Sequence, residues 1–184
     1  MFHSAATFDS PVGGWAVSSV TNTKGMFYGA SSFGQDLLSW DVSNVVDASC
    51  MFADAPAFGR DLSLWNVSSV TTMNCMFNGS HPPRRRRPLV FRRTQEKDQI
   101  VLLYGNLVDW NVPAVANMTA AFQGRAAFDE DLSAWDLSSV AVTSAMFQNA
   151  ATFDQSLSAW DVSSVTDASN MFNGASAFQM CSAN

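Results

Sequence analysis

The residues of this sequence that could do chemistry recur at fixed positions rather than in a single constellation. Carboxylates occupy two such positions: one row holds Asp36, Asp61 and Asp131, and the other holds Asp41, Asp136 and Asp161. Stacked carboxylates can bind calcium, but neither an EF-hand loop nor a nonapeptide calcium repeat is present to support such a site. We therefore interpret both rows as a solvated acidic edge.

Other catalytic or ligating groups are sparse. Catalysis requires distinct residues held in one arrangement, whereas serines recur at one repeat position in five of the six units and the only histidines are His3 and His81. No Cys-x-x-Cys pair, zinc-spaced His/Cys set, Walker loop or Rossmann fingerprint is found. The sequence predicts a protein that is not an enzyme, with no cofactor and no metal site.

Cys50 and Cys75 stand at equivalent repeat positions. If the repeats stack in register, their Cα atoms lie about 4.8 Å apart, which is within the range of a disulfide. The alternative is two thiols, since the equivalent positions elsewhere hold Gly25, Ala120 and Ala145. We favour thiols because disulfide geometry is strict and closing adjacent repeats adds only modest stability.

A 25-residue period must position all of these groups. The six tryptophans are spaced by 25 residues except for one step of 45, and a fixed period of this size is typical of stacked repeats. A valine follows each tryptophan by five residues, and a phenylalanine, usually after Met, by twelve. The predicted core of the repeats is Trp15, Trp40, Trp65, Trp110, Trp135, Trp160, Val20, Val45, Val70, Val115, Val140, Val165, Phe27, Phe52, Phe77, Phe122, Phe147 and Phe172.

Spacing within the unit predicts its local structure. Leu37, Trp40 and Val42 alternate with polar residues as in a short strand. Met73, Met76, Phe77 and Ser80 follow the periodicity of one helix face. Capping residues seven positions after the tryptophan predict the helix start, and glycines such as Gly79 predict its end; the capping residues are Asn22, Asp47, Thr72, Asn117 and Asp167.

The predicted fold class is therefore an α/β repeat, a solenoid of about six 25-residue coils, each with a short parallel strand and a short helix. Equivalent side chains should form ladders along a rod about 29 Å long. One insertion, residues 81–102, should interrupt the array as a loop or disordered segment between the halves 1–80 and 103–184. The unit starts at Met1-Phe2 and breaks off after Phe178, so we expect part of a longer array.

The insertion carries most of the positive charge. Residues 81–100 hold seven of the ten basic residues and two acidic ones. The rest of the chain therefore carries a charge of −11, against a net charge of −6 for the whole sequence. Three interpretations stay open: a solvated or non-coding stretch, a contact loop, or a nucleic-acid or nuclear-targeting segment through Arg84–Arg87. The acidic remainder makes nucleic acid an unlikely partner for the coils. The sequence has no run of 18 apolar residues, so no membrane span is predicted.

Two stretches of the repeat carry a family resemblance. The string Phe-x-x-Asp-Leu-Ser-x-Trp-Asp-Val-Ser-Ser-Val-Thr, followed by Met-Phe-x-x-Ala-x-x-Phe, is clearest in residues 33–58 and 128–178. It resembles the 25-residue repeat of BspA-like leucine-rich-repeat surface proteins, which also occurs in mycoplasma lipoproteins. The resemblance implies a solenoid displayed at the cell surface or secreted. It implies a non-catalytic role in adhesion or protein binding, with a protein or other cell-surface ligand as partner.

Overall fold

The chain winds into a stack of coils in a computed structural model that describes residues 1–79, 107 and 110–179. Residues 22, 47, 72, 117, 142 and 167 stand one above another, and parallel bridges link each to the next. We number the coils from these residues: coil 1 is 1–21, coil 2 is 22–46, coil 3 is 47–71, coil 4 is 72–116, coil 5 is 117–141 and coil 6 is 142–166. A C-terminal partial coil covers 167–179. The predicted insertion, 81–102, lies outside the described residues, as does Arg84–Arg87.

Backbone hydrogen bonds join consecutive coils in an alternating pattern. The N–H groups of Ala48, Cys50, Phe52 and Asp54 in coil 3 donate to carbonyls of coil 4 at 2.8–3.1 Å. The N–H groups between them form hydrogen bonds within coil 3: Met51 donates to the Ala48 carbonyl, and Ala53 to that of Cys50, each at 3.2 Å. Every second N–H therefore links two coils, while its neighbours close tight turns within one coil.

The predicted helix is wrong. In coil 4 the Met76 N–H donates three residues back to Met73, but the Phe77 N–H donates across to Ala121 of coil 5 at 3.0 Å. Cys75 and Gly79 have φ values of +55° and +63°, and left-handed residues four apart cannot belong to a right-handed helix. Met73, Met76 and Phe77 still point inward, because successive turns reproduce the inward periodicity of a helix face.

The predicted strand is also wrong. The Trp40 N–H donates to the Leu37 carbonyl and the Val45 N–H to the Val42 carbonyl, at 3.0 and 2.9 Å. Leu37 to Trp40 and Val42 to Val45 are therefore two turns rather than extended chain. Asp36 and Asp41 precede them, and their carboxylates accept the N–H groups of Leu38 and Ser43. These side-chain contacts bend the backbone where a strand would run straight.

The α/β leucine-rich-repeat-like class is accordingly corrected. Among the described residues there is no α-helix and no extended strand, and coils 2 to 6 and the C-terminal partial coil each contribute one bridging residue to parallel pairing. The predicted capping residues have a different role. The Asp47 carboxylate accepts the Ser49 N–H and the Asn117 side chain accepts the Thr119 N–H, both at 2.9 Å. Asn22, Asp47, Asn117 and Asp167 close turns of the Asx type in this way, whereas the Thr72 hydroxyl donates to the Asn74 side chain.

Stacked aromatic rings fill the interior. Within coil 3 the rings of Phe52 and Phe58 lie 3.9 Å apart and nearly parallel, at 4°. Between coils, Phe52 lies 5.8 Å from Phe27 on one side and 5.8 Å from Phe77 on the other. Phe27, Phe52 and Phe58 have no exposed surface. Offset stacking is a favoured arrangement for aromatic rings, and the ladder gives the coils one continuous core.

Coil 3 and the part of coil 4 that follows the insertion stack directly, as their matching tryptophan and valine ladders predict. Trp65 and Trp110 are 45 residues apart in sequence, yet their rings lie 6.5 Å apart at 5°. Trp110 and Trp135, one uninterrupted repeat apart, lie 6.4 Å apart at 4°. Thr72 and Asn117 form a parallel bridge across the same interface. The geometry of the stack is the same with and without the additional residues.

Candidate functional site

The described residues place most of the predicted repeat core inside the stack. Buried members are Trp40, Trp65, Trp110, Trp135, Trp160, Val45, Val70, Val115, Val140, Phe27, Phe52, Phe77, Phe122 and Phe147. The remaining four lie in the outermost coils: Trp15 is 42% exposed, and Val20, Val165 and Phe172 are partly buried. Large apolar side chains are therefore mostly withdrawn from the sides of the stack.

Each buried tryptophan also holds its neighbouring coil by a hydrogen bond. The Trp65 indole Nε1–H donates to the Leu37 carbonyl at 2.9 Å, and Trp110 donates to Leu62 at 3.1 Å across the insertion. The same bond occurs for Trp40, Trp135 and Trp160. A buried indole N–H requires an acceptor, and here the acceptor is a turn carbonyl. These tryptophans are structural and are not available for a ligand.

The two rows of carboxylates lie on the outside and shape the turns. In the first row, the Oδ1 atoms of Asp61 and Asp131 accept the N–H groups two residues ahead at 2.9 Å. In the second row, which follows the tryptophans, Asp41 and Asp161 make the same contact at 3.1 and 2.9 Å, and Asn66 replaces a carboxylate while keeping it. All of these side chains are exposed. Each aspartate therefore uses one carboxylate oxygen for the turn and presents the other to solvent.

Hydrogen bonding keeps the second row ionised. The Ser43 hydroxyl and then its N–H lower the pKa of Asp41, and Ser138 and Ser163 do the same for the pKa values of Asp136 and Asp161. The charge of Asp161 opposes the lowering of the pKa of Asp136, so the two carboxylates lie near each other. Charge-assisted bonds to a carboxylate favour its ionised form. This row, Asp41, Asn66, Asp136 and Asp161, is hereafter called the acidic row.

A second outer row consists of amides. The Asn78 Nδ2 donates to the Gln123 Oε1 at 2.9 Å, and the Gln123 Nε2 donates to the Gln148 side chain. All three side chains are partly buried. Neighbouring amides that satisfy each other along a stack add inter-coil bonds of the same kind as amide ladders in other stacked structures. Sequence periodicity did not reveal this row because its residue types vary between coils.

Two buried charges depart from the repeat. Arg125 is 3% exposed and Glu130 is 7% exposed, and the Arg125 guanidinium lies over the rings of Phe77 and Phe128, at 5.8 and 4.9 Å from their centroids. Sequence analysis missed this site. The sequence did contain a signal: Arg125 stands at the repeat position that holds Ala30, Ala55 and Ala150 in other coils. These alanines are fully buried.

Comparison with known families accounts for nearly the whole chain. The family described as "Mycoplasma protein of unknown function, DUF285" matches residues 1–86 and again residues 91–183. The chain belongs to this family. The two matches in one chain support its repeat nature. No curated protein and no solved structure matches the chain.

The DUF285 family has no described function, so the chemistry that this chain could perform has to be inferred from its own residues. Within the ranges that the structure describes, no three or more His, Cys, Asp or Glu side chains are grouped so that they could hold a metal ion. The same ranges contain no helix with the length and apolar character needed to cross a bilayer. The stacked carboxylates considered for calcium are therefore a row of separate side chains rather than a cage.

Cys50 and Cys75 of this DUF285 chain are both free thiols, each partly buried. Both have left-handed backbones, with φ values of 54° and 55°. Burial, and then the charge of the neighbouring Cys75, raise the pKa of the Cys50 thiol to about 11. A thiol with this pKa is protonated at neutral pH and is a slow nucleophile.

Proposed function

We propose that the chain is a non-catalytic, protein-binding repeat module that acts at the cell surface or after secretion and contacts its partner through the acidic row. The observation that supports this function is that different residue types occupy the inside and the outside of each coil. Aromatic and aliphatic side chains are used to stack the coils, whereas carboxylates stand outside at the acidic-row position in coils 2, 5 and 6. Such a surface offers repeated charge rather than a pocket.

The chemistry of the acidic row favours a basic protein partner. Asp41, Asp136 and Asp161 are exposed and their pKa values are lowered, so the row is fully charged at neutral pH. Lys24, Arg60 and Arg125 are the cations among the described residues, and Arg125 is buried. Complementary charge raises association rates and selects partners. A row of identical weak contacts becomes effective when several coils, or several copies, bind together.

Binding should be tested with the acidic row neutralised but its turns intact. Asn66 shows that an amide keeps the turn bond at this position, so the triple variant Asp41→Asn, Asp136→Asn, Asp161→Asn removes three charges with little effect on the fold. Both proteins would be displayed at equal density on beads and screened against surface-protein extracts and a basic protein panel. We expect salt-sensitive capture of basic partners by the parent chain and loss of that capture in the variant.

A matched control comes from a different position of the coil. The triple variant Asp36→Asn, Asp61→Asn, Asp131→Asn removes three charges from the other carboxylate row, where these residues also close turns. It should keep most of the capture. Equal losses in both variants would show that net charge alone is responsible, and capture unaffected by either would refute the acidic row as the contact surface. Substrate turnover by the purified chain would refute the non-catalytic role.

A further inference from the structure

Cys50 and Cys75 face each other across one coil interface. The Cys50 N–H donates to the Asn74 carbonyl at 2.8 Å, and the Phe52 N–H donates to the Met76 carbonyl at 3.0 Å. These two bonds bracket Cys75, so Cys50 lies directly opposite it. Both cysteines carry free thiols and are partly exposed.

The backbone fixes the direction of both thiols in the same way. Cys50 and Cys75 have φ values of 54° and 55°, so their Cβ atoms leave parallel backbones in parallel. Side chains that project in parallel from coils about 4.8 Å apart stay at about that separation. A disulfide instead needs Cβ atoms about 3.8 Å apart and a dihedral near 90°. The pair is better arranged to share a bridging atom than to bond directly.

We infer that Cys50 and Cys75 form a two-thiolate site for a soft monovalent d10 cation, of which Cu⁺ is the biological example. Thiolates select soft cations, and two metal–sulfur bonds of about 2.3 Å in a line span about 4.6 Å, close to the coil spacing. Each thiol releases its proton to solvent as its sulfur bonds the cation. The cation keeps its oxidation state, so the step needs no oxidant or reductant.

The site does not depend on the proposed protein-binding role, and the repeat itself supplies its test. Ala120 and Ala145 occupy the same repeat position in coils 5 and 6 with φ values of 53° and 54°. Cysteine can therefore be moved along the row in an unchanged backbone. In a Cys181→Ser background, the variant Cys50→Ala, Ala120→Cys creates a new adjacent pair, while Cys50→Ala, Ala145→Cys leaves the two thiols one coil further apart.

The probe is Ag⁺, which is stable to oxidation, titrated under reducing, metal-free conditions against a competing chelator. The parent pair should bind one Ag⁺ about 100-fold or more tightly than Cys75→Ser, because the second thiolate acts at high effective concentration. The moved pair should regain the parent affinity, and the separated pair should bind like a single thiol. Thermal unfolding of each variant verifies that it is folded.

Two results would overturn the site. Equal affinity in the adjacent and separated pairs would show that each thiol binds Ag⁺ independently. A parent affinity no higher than that of Cys75→Ser would show that the two sulfurs do not share the cation.

Discussion

Interior and outer coils share one repeat pattern but differ in what surrounds their side chains. Val67, two residues after its tryptophan in coil 3, is 3% exposed, whereas its equivalent Val162 in coil 6 is 54% exposed. Phe52 is fully buried and Phe172, in the C-terminal partial coil, is only partly so. The difference shows that burial belongs to the interface between coils and not to the sequence of any one coil.

The backbone repeats this contrast. The N–H groups of Cys50 and Phe52 donate to coil 4, but the equivalent N–H groups of Asn170 and Phe172 meet no acceptor among the described residues. Each added coil therefore supplies carbonyls for the N–H groups of the coil before it. Stability in such a stack is close to a sum over neighbouring interfaces, so substitutions should cost most where a residue has a coil on both sides.

The largest expected effect comes from removing an interior ring. Phe52→Ala should lower the free energy of unfolding by about 3–5 kcal/mol, because the ring is fully buried between Phe27 and Phe77. Phe172→Ala should cost less than half as much, since that ring is already partly exposed. Urea denaturation followed by tryptophan fluorescence measures both. Equal losses would mean that the end coils are as well packed as the interior.

A smaller effect should separate two glycines with the same backbone. Gly29 and Gly79 have φ values of +65° and +63°, so replacement by alanine strains both equally. A Cβ at Gly79 would lie 2.3 Å from the Asp54 Oδ1, whereas at Gly29 the nearest atom is the Ser4 Cα at 3.4 Å. Asp54 would have to rotate its carboxylate away from that Cβ.

Gly79→Ala should therefore be less stable than Gly29→Ala by about 1 kcal/mol, the cost of holding a side chain away from its preferred rotamer. Thermal unfolding of the two single variants gives the difference. The double variant Asp54→Ala, Gly79→Ala serves as control, because it removes the clash and should recover most of the additional loss. No recovery would place the cost in the backbone and not in the carboxylate.

Deleting residues 81–100 should have less effect still. Trp65 of coil 3 and Trp110 of coil 4 already stack with the spacing of an uninterrupted repeat, and halving a loop changes its closure free energy by only about 0.6 kcal/mol. We expect the deletion to keep or slightly raise the unfolding temperature. A loss of several kcal/mol would show that this segment is part of the fold.

The smallest effect should appear at low pH. The pKa values of Asp41, Asp136 and Asp161 are lowered from 3.8 in the folded chain by their serine partners. Their stabilisation is therefore complete above pH 3.8 and is lost as pH falls through the folded pKa values. The triple Asp→Asn variant should show a shallower loss of unfolding temperature below pH 4 than the parent chain. Parallel curves would mean that the turn bonds do not favour the charged carboxylates.

Much of the arrangement could be predicted from spacing, but the path of the backbone could not. The 25-residue period identified the stacked units and the inward side chains, because those depend on which residues are apolar. Met73, Met76 and Phe77 point inward in a helix and in nested turns alike, so periodicity could not distinguish them. The deciding feature is the left-handed backbone at Cys75 and Ala120, residue types that rarely adopt it. The aspartates of the acidic row were recognised from the sequence, whereas the burial of Arg125 was recognised only from its three-dimensional contacts.

The central claim is that each coil is a series of turns whose alternate N–H groups bond the next coil. Scalar coupling across hydrogen bonds, measured by NMR, tests it at a single residue. The Phe77 N–H lies 3.0 Å from the Ala121 carbonyl, whereas a helix would pair it with the carbonyl of Met73, four residues back. We predict coupling from the Phe77 nitrogen to the Ala121 carbonyl carbon. Coupling to the Met73 carbonyl carbon instead would contradict the account.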